Sequence, residues 1–182
     1  MGIHQLSVLH DEHQDRLLWR VSTQAGEEFL FWLTRRMSAR LLPAIEQALG
    51  RLDSLRSGLI APDPSTRHLL SDMQHQAFMQ QADFQTPYAA PQNAQRPLGE
   101  WPLLVTDAQL TVQPSALLLQ LQDQSQAPLR QCELQLTPEL VHGLLHLSRQ
   151  AVARADWALG GPVAPPPEES EAPPASSRAY AH

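Results

Sequence analysis

No lysine occurs in this chain: all 13 of its basic residues are arginine, set against 19 aspartates and glutamates. The resulting net charge of −6 repels phosphate backbones at long range, which argues against a nucleic-acid partner. Cysteine is nearly absent as well. The lone Cys132 rules out an internal disulfide and fits a reducing compartment, so a cytoplasmic protein is expected. No apolar run approaches the length of a membrane span. The start, MGIHQLSVLHDEHQ, lacks the basic n-region and apolar core of a secretory signal. The sequence also has no GxSxG elbow, no phosphate-cradling glycine loop and no CxxC pair. No cofactor is expected, and nothing makes a positive case for an enzyme.

What the sequence does contain is a repeated order of signals. Residues 5–8 read QLSV and residues 109–112 read QLTV. After the first comes LLWRVST from Leu17, with Leu17, Trp19 and Val21 alternating, then a turn at Gln24-Ala25-Gly26 and EFLFWLT from Glu28. After the second comes LLLQLQD from Leu117, a polar turn near Gln124-Ser125-Gln126, and RQCELQLT from Arg130. Both third strands end in Leu-Thr. Each threonine then precedes a helical pattern and suits its N-cap, because the hydroxyl accepts from a first-turn N–H.

The helix after Thr34 carries Met37, Leu41, Ile45 and Ala48, with Gly50 placed to stop it. The helix after Thr137 has Pro138 at its first position, where no N–H is needed, and Gly160 beyond its end. A constant offset of 103 links Phe29 to Cys132, Leu33 to Leu136, Thr34 to Thr137 and Leu41 to Leu144.

The expected fold is therefore α+β, a duplicated β-β-β-α unit with pseudo-two-fold symmetry. It would form one antiparallel sheet or two facing sheets, with two long helices and a connector helix. Copy one covers 3–52, the connector 53–101 and copy two 102–159, all within one domain of residues 1–159. On this expectation Val8 and Val112 occupy the same position in the two copies, as do Leu33 and Leu136.

Within the connector, Asp63 or Ser65 caps a stripe of Leu69, Leu70, Met73, Ala77 and Met79 or Phe84, a helix expected to cover an open sheet edge or face. The following QTPYAAPQNAQRPLGEWP should be extended or turning. The tail, residues 160–182, is Pro-, Glu- and Ser-rich and expected to be disordered.

Three groups of residues carry candidate chemistry. HDEH at residues 10–13 offers His10 and His13 as metal ligands, although a hairpin turn also favours such side chains. His142 and His146, four apart, share one helix face as zinc ligands do, but Gly143 stands where a catalytic Glu would follow the first His. In FWLTRRMSAR, Arg35 and Arg36 occupy a first helical turn, with Arg40 four beyond Arg36, although cations are disfavoured there. Glu27, Glu28 or an acidic ligand would offset them. Trp32 has the opposite parity to Phe29, Phe31 and Leu33, so it faces away from the core those residues define.

The leading expectation is a non-catalytic, cytoplasmic, protein-binding protein of adaptor, scaffold or chaperone-like kind. The expected partner is another protein, an acidic one met through Arg35, Arg36, Arg40 and Trp32, or a second copy of this chain in a homodimer. A metal-dependent protein or enzyme using His142, His146 and the HDEH turn is one alternative. An arginine-led nucleic-acid binder is the other.

Overall fold

Leu17, Trp19 and Val21 all turn to one side of a strand, and all three are buried, so the alternation read from the sequence is the alternation of a core-facing sheet. The computed structural model describes residues 2–57, 69, 73, 76–78, 86–125 and 127–159. The fold is mixed α+β with two sheets. Strands β1 (Ile3–Asp11), β2 (Arg16–Thr23) and β3 (Glu28–Thr34) form an antiparallel meander, to which β4 (Leu103–Leu104) adds in parallel beside β3. The second sheet is the meander β5 (Asp107–Val112), β6 (Leu117–Asp123) and β7 (Arg130–Leu136). Helix α1 (Arg35–Ser57) follows β3, and α2 (Pro138–Arg154) follows β7.

Both threonine caps form. Thr34 Oγ1 accepts from the Met37 amide at 3.1 Å, and Thr137 Oγ1 accepts from the Leu140 amide at 3.5 Å. The helix ends differ from expectation. Gly50 does not stop α1, which continues to Ser57 because Leu49 and Leu52 on either side are buried. Burying each such side chain contributes about 1.5–3 kcal/mol, more than the ~1 kcal/mol that a mid-helix glycine costs. Helix α2 ends at Arg154, with Asp156 turning the chain at φ 53°, well before Gly160.

The core lies between the meanders and the helices, and the packing is crossed. Helix α2 packs against β1 and β2 of the first meander, while α1 packs against β5 and β6 of the second. The two helices also pack on each other. A short stretch stitches the sheets together: the Val105 amide donates to Trp32 O at 2.9 Å, and the next amide, of Thr106, donates to Gln122 O at 2.9 Å.

The register corrects one expected equivalence. Leu17 pairs with Leu33, and Leu117 with Leu136, so those four residues correspond, and all are fully buried. On the first strands, however, Leu17 faces His10 whereas Leu117 faces Val112. Val112 thus matches His10, and Val8, opposite Trp19, matches Leu110 opposite Leu119. The likeness of QLSV to QLTV is two residues out of step with the ladders, because register follows the strand pairing and not a four-letter string.

Of the connector, residues 69, 73 and 76–78 are helical. Phe78 stacks on His142 of α2, with ring centroids 5.8 Å apart, and Leu69 and Met73 are exposed. Asp63, Ser65, Leu70, Met79 and Phe84 lie outside the described residues, as does the tail, residues 160–182. Residues 86–102 are extended and turning, as expected.

Candidate functional site: the outward face of the first sheet

The side chains of the first meander that point away from the core define the most distinctive surface of the described chain. Leu9 pairs with Leu18, Leu18 with Trp32, and Trp32 with Leu104, so four apolar residues form one row across four strands. Leu9 is 41 % exposed, and Leu18, Trp32 and Leu104 are half-buried. The outward face of the second meander is different. There Gln109, Gln120, Gln122, Gln131 and Gln135 alternate with the buried positions, giving an amide-rich surface suited to water.

Along one flank of the apolar row, four residues away on the strands, runs a strap, residues 86–98. Its anchor is Glu28, which is 3 % exposed. Arg96 donates to Glu28 Oε2 from Nε at 3.0 Å and from Nη2 at 2.9 Å, and the Tyr88 hydroxyl donates to Oε1 at 3.0 Å. The carboxylate in turn holds the Arg96 guanidinium above its ordinary pKa. Burial, then the hydrogen bond to Glu28 and the Glu28 charge, push the Tyr88 hydroxyl up to about 12. The Tyr88 ring lies 4.2 Å from the Arg20 guanidinium carbon, a cation–π contact. Gln5 completes the clasp, donating to Pro87 O at 3.2 Å and accepting from the Ala89 amide at 3.1 Å. The strap is tied to the second sheet as well: Arg130 donates to Leu98 O and, at 2.9 Å, to Trp101 O.

On the opposite flank, two residues along the strands, stand Asp11, Arg16 and Thr34. Arg16 pairs with Thr34, the residue before Arg35 and Arg36, and Arg40 follows one helical turn later. Arg35, Arg36 and Arg40 are exposed, and the first turn of α1 carries no acidic residue. Arg16, Arg35, Arg36 and Arg40 form no ion pair among the described residues. Glu28 is committed to Arg96, and Glu27 Oε2 accepts from the Thr23 hydroxyl at 3.3 Å, so the expected pairing of either with the helix arginines does not form. Asp11 pairs in register with Arg16, but its Oδ1 accepts from the Gln14 amide at 2.9 Å.

The candidate metal ligands are dispersed. His10 meets the Trp157 ring edge-on at 5.5 Å and lies 3.3 Å from Asp15 Oδ1, while His13 is exposed on the turn. His142 is buried beside Asp53, with Nε2 3.7 Å from its Oδ2, and His146 Nε2 lies 2.9 Å from Gln150 Nε2. Among the described residues no three His, Cys, Asp or Glu side chains converge as a metal site requires. Cys132 is half-buried, and burial, then the charges of Glu27 and Glu133, push its thiol up to about 11.

The sequence singles out Trp32, Arg35, Arg36 and Arg40 but not Arg16, Leu9, Leu18 and Leu104. Leu9 and Leu18 carry a readable signal, since they alternate with Val8 and Leu17 and so must face away from the core. Leu104 carries none, because its place depends on a parallel pairing made across the whole connector. Among the described residues, no helix is long and apolar enough to cross a membrane. The chain matches no protein-family model, no curated protein and no solved structure.

Proposed function

We propose that this is a non-catalytic protein-binding protein that holds an acidic, apolar-anchored segment of a partner against the outward face of its first sheet. The carrying observation is the row Leu9–Leu18–Trp32–Leu104 together with Arg16 on the same sheet and Arg35, Arg36 and Arg40 at the start of α1, none of which forms an ion pair among the described residues. An apolar row flanked by arginines anchors through desolvated side chains and orients through arginine–carboxylate bonds. A nucleic acid fits less well, because the row offers apolar anchors and the chain as a whole is acidic. The single cysteine accords with a cytoplasmic setting.

We also infer that the two β-β-β-α units are copies related by an approximate half turn. Support comes from the crossed helix packing, the matched caps at Thr34 and Thr137, and the burial of Leu41 with Leu144, Leu42 with Leu145 and Ala48 with Ala151. The strap then breaks the symmetry, leaving one meander with an apolar outward face and the other with a glutamine-rich one.

The test is fluorescence anisotropy with a labelled peptide of alternating Glu and Leu. Wild-type protein should bind it with an affinity that falls as salt rises. Arg35→Gln/Arg36→Gln/Arg40→Gln and, separately, Trp32→Ser should each lose at least about tenfold in affinity with an unchanged circular dichroism spectrum. Equal binding by wild type and both variants would remove this face as the site.

A further inference from the structure

We propose that the outer edge of β7 is a second docking site, which takes a short extended apolar segment of a partner protein as an added parallel strand. It lies on the other sheet from the apolar row and stands independently of it.

How the first sheet finishes its own edge is the first support. The last strand of its meander, β3, is covered in two places. The Glu28 amide donates to Gln95 O at 2.8 Å, and β4 lies parallel beside Phe31 and Trp32, with the Val105 amide on Trp32 O at 2.9 Å. Leu103 thereby enters the core next to Phe31, and both are fully buried. Strand β7 is the matching strand, since Leu136 pairs with Leu117 as Leu33 pairs with Leu17. Trp32 then corresponds to Gln135, Phe31 to Leu134 and Glu28 to Gln131. Among the described residues β6 is the one strand beside β7, and no backbone bond reaches the other side of β7.

The direction of the backbone groups is the second support. At the β5–β6 hairpin the Gln113 amide donates to Ala116 O at 2.8 Å, so the even-numbered residues of β6 bond to β5 and the odd-numbered ones to β7. Their partners on β7 are Arg130, Cys132, Leu134 and Leu136. The N–H and C=O groups of Gln131, Glu133 and Gln135 therefore point to the open edge, as those of Glu28 and Trp32 do in β3. The side chains of Gln131, Glu133 and Gln135 are exposed, whereas Glu28 is buried and Leu30 and Trp32 are half-buried. Cys132 is half-buried where its counterpart Phe29 is buried. Neither a proline nor a bulge, the usual devices that blunt an open edge, interrupts β7.

Apolar anchors beside the strand are the third. Leu129, the residue before β7, is exposed, and so is Trp101, to 82 %. Arg130 holds Trp101 at the start of β7 by donating to its carbonyl oxygen at 2.9 Å. An added strand supplies partners to the edge backbone and covers such side chains with its own. The chemistry of the occupant follows from β4: an extended Leu-Leu-Val stretch like residues 103–105, with one leucine turned to Leu134 as Leu103 is to Phe31.

The test uses the full-length protein and a labelled peptide of residues 101–106, Trp-Pro-Leu-Leu-Val-Thr, the stretch that serves β3. Fluorescence anisotropy should show saturable binding, and hydrogen exchange at the Glu133 and Gln135 amides should slow at least about tenfold on saturation. The same peptide N-methylated at its valine lacks the donor that Val105 uses on Trp32, and should bind the unaltered protein at least about tenfold more weakly. Gln135→Pro removes an edge-facing amide and leaves the β6 ladder intact, so it should weaken the parent peptide about as much with an unchanged circular dichroism spectrum. No binding, equal binding of the N-methylated peptide, or binding that leaves exchange along β7 unchanged overturns the proposal. Slowing at Glu133 and Gln135 that rises with protein concentration in the absence of peptide also overturns it, and makes a second copy of the chain the occupant.

Discussion

Trp157 donates its indole N–H to Asp15 at 2.8 Å across 142 residues of sequence, and His10 packs its ring edge against the same indole. Three side chains from two β-β-β-α units thus latch the first hairpin to the end of α2. The latch has an acid limit. The Trp157 bond, then the His10 bond, hold the Asp15 carboxyl below the ordinary carboxylate range.

A group with a lowered folded pKa contributes stability that is full above its unfolded value, about 3.9, and is lost as pH falls through the folded value. Asp15→Ala should therefore lower the midpoint of thermal unfolding by about 2–4 °C at neutral pH, a difference that shrinks as the pH drops below about 4. Asp15→Asn should retain part of the midpoint, since its amide oxygen still accepts from Trp157. Asn also tolerates the left-handed backbone found here at φ 47°. Thermal melts from pH 7 to pH 2.5 measure both effects.

Arg96 is the only cation paired with the buried Glu28 among the described residues, so Arg96→Ala leaves a carboxylate with the Tyr88 hydroxyl alone. The cost should be roughly 1.5–3 kcal/mol by denaturant titration, the range for a hydrogen bond to a charged group. It should fall short of a fully buried pair because the Arg96 side chain is 34 % exposed. Hydrogen exchange should then show faster exchange at the Glu28 amide, which donates to Gln95 O, while the β6–β7 ladder is unchanged.

The same clasp sets an alkaline limit. Tyr88 is raised to about 12, so folding favours its neutral form, and the stability it helps maintain is full below the unfolded value of about 10 and drains between pH 10 and 12. Tyr88→Phe should flatten that part of the pH profile while lowering stability at pH 8 through loss of the bond to Glu28.

How much of this was written locally can be read residue by residue. Thr34 and Thr137 cap their helices by chemistry confined to four residues, so both starts were legible. Trp32 was placed on the outward face by parity alone. Gly50 was misread because a local stop signal yields to the burial of Leu49 and Leu52, which only the packed helix supplies. The strap was invisible for the opposite reason: Glu28 and Arg96 are 68 residues apart, and nothing near either names the other. The paired arginines were legible as an oddity, but that they lie beside an apolar row required the β1–β2–β3–β4 register.

Cys132 offers a kinetic check on the second sheet. A thiol raised to about 11 from an ordinary 9.0 holds about 100-fold less thiolate near neutrality, and the thiolate is what alkylating reagents consume. Iodoacetamide at pH 8 should label the native protein about 100-fold more slowly than the urea-unfolded chain. Comparable rates would mean that β7 opens freely at its edge.

The duplication itself makes the sharpest demand on energetics. Leu33 and Leu136 are both fully buried, each paired across its meander with a fully buried partner, Leu17 and Leu117. If the units are copies related by a half turn, truncation at either site opens a cavity walled by matching strands and by the helix of the opposite unit. Leu33→Ala and Leu136→Ala should then each cost about 2–5 kcal/mol, and the two values should agree within about 1 kcal/mol. Val8 and Val112 are the control. Val8 is buried opposite Trp19, whereas Val112 is only half-buried and stands where His10 stands in the first unit. Val8→Ala should therefore cost clearly more than Val112→Ala, although the two valines close the most similar four-residue strings in the sequence. Urea denaturation of the four variants decides the matter. Unequal costs at the leucines, or equal costs at the valines, would mean that the likeness of the two units stops at their order of elements and does not extend to their cores.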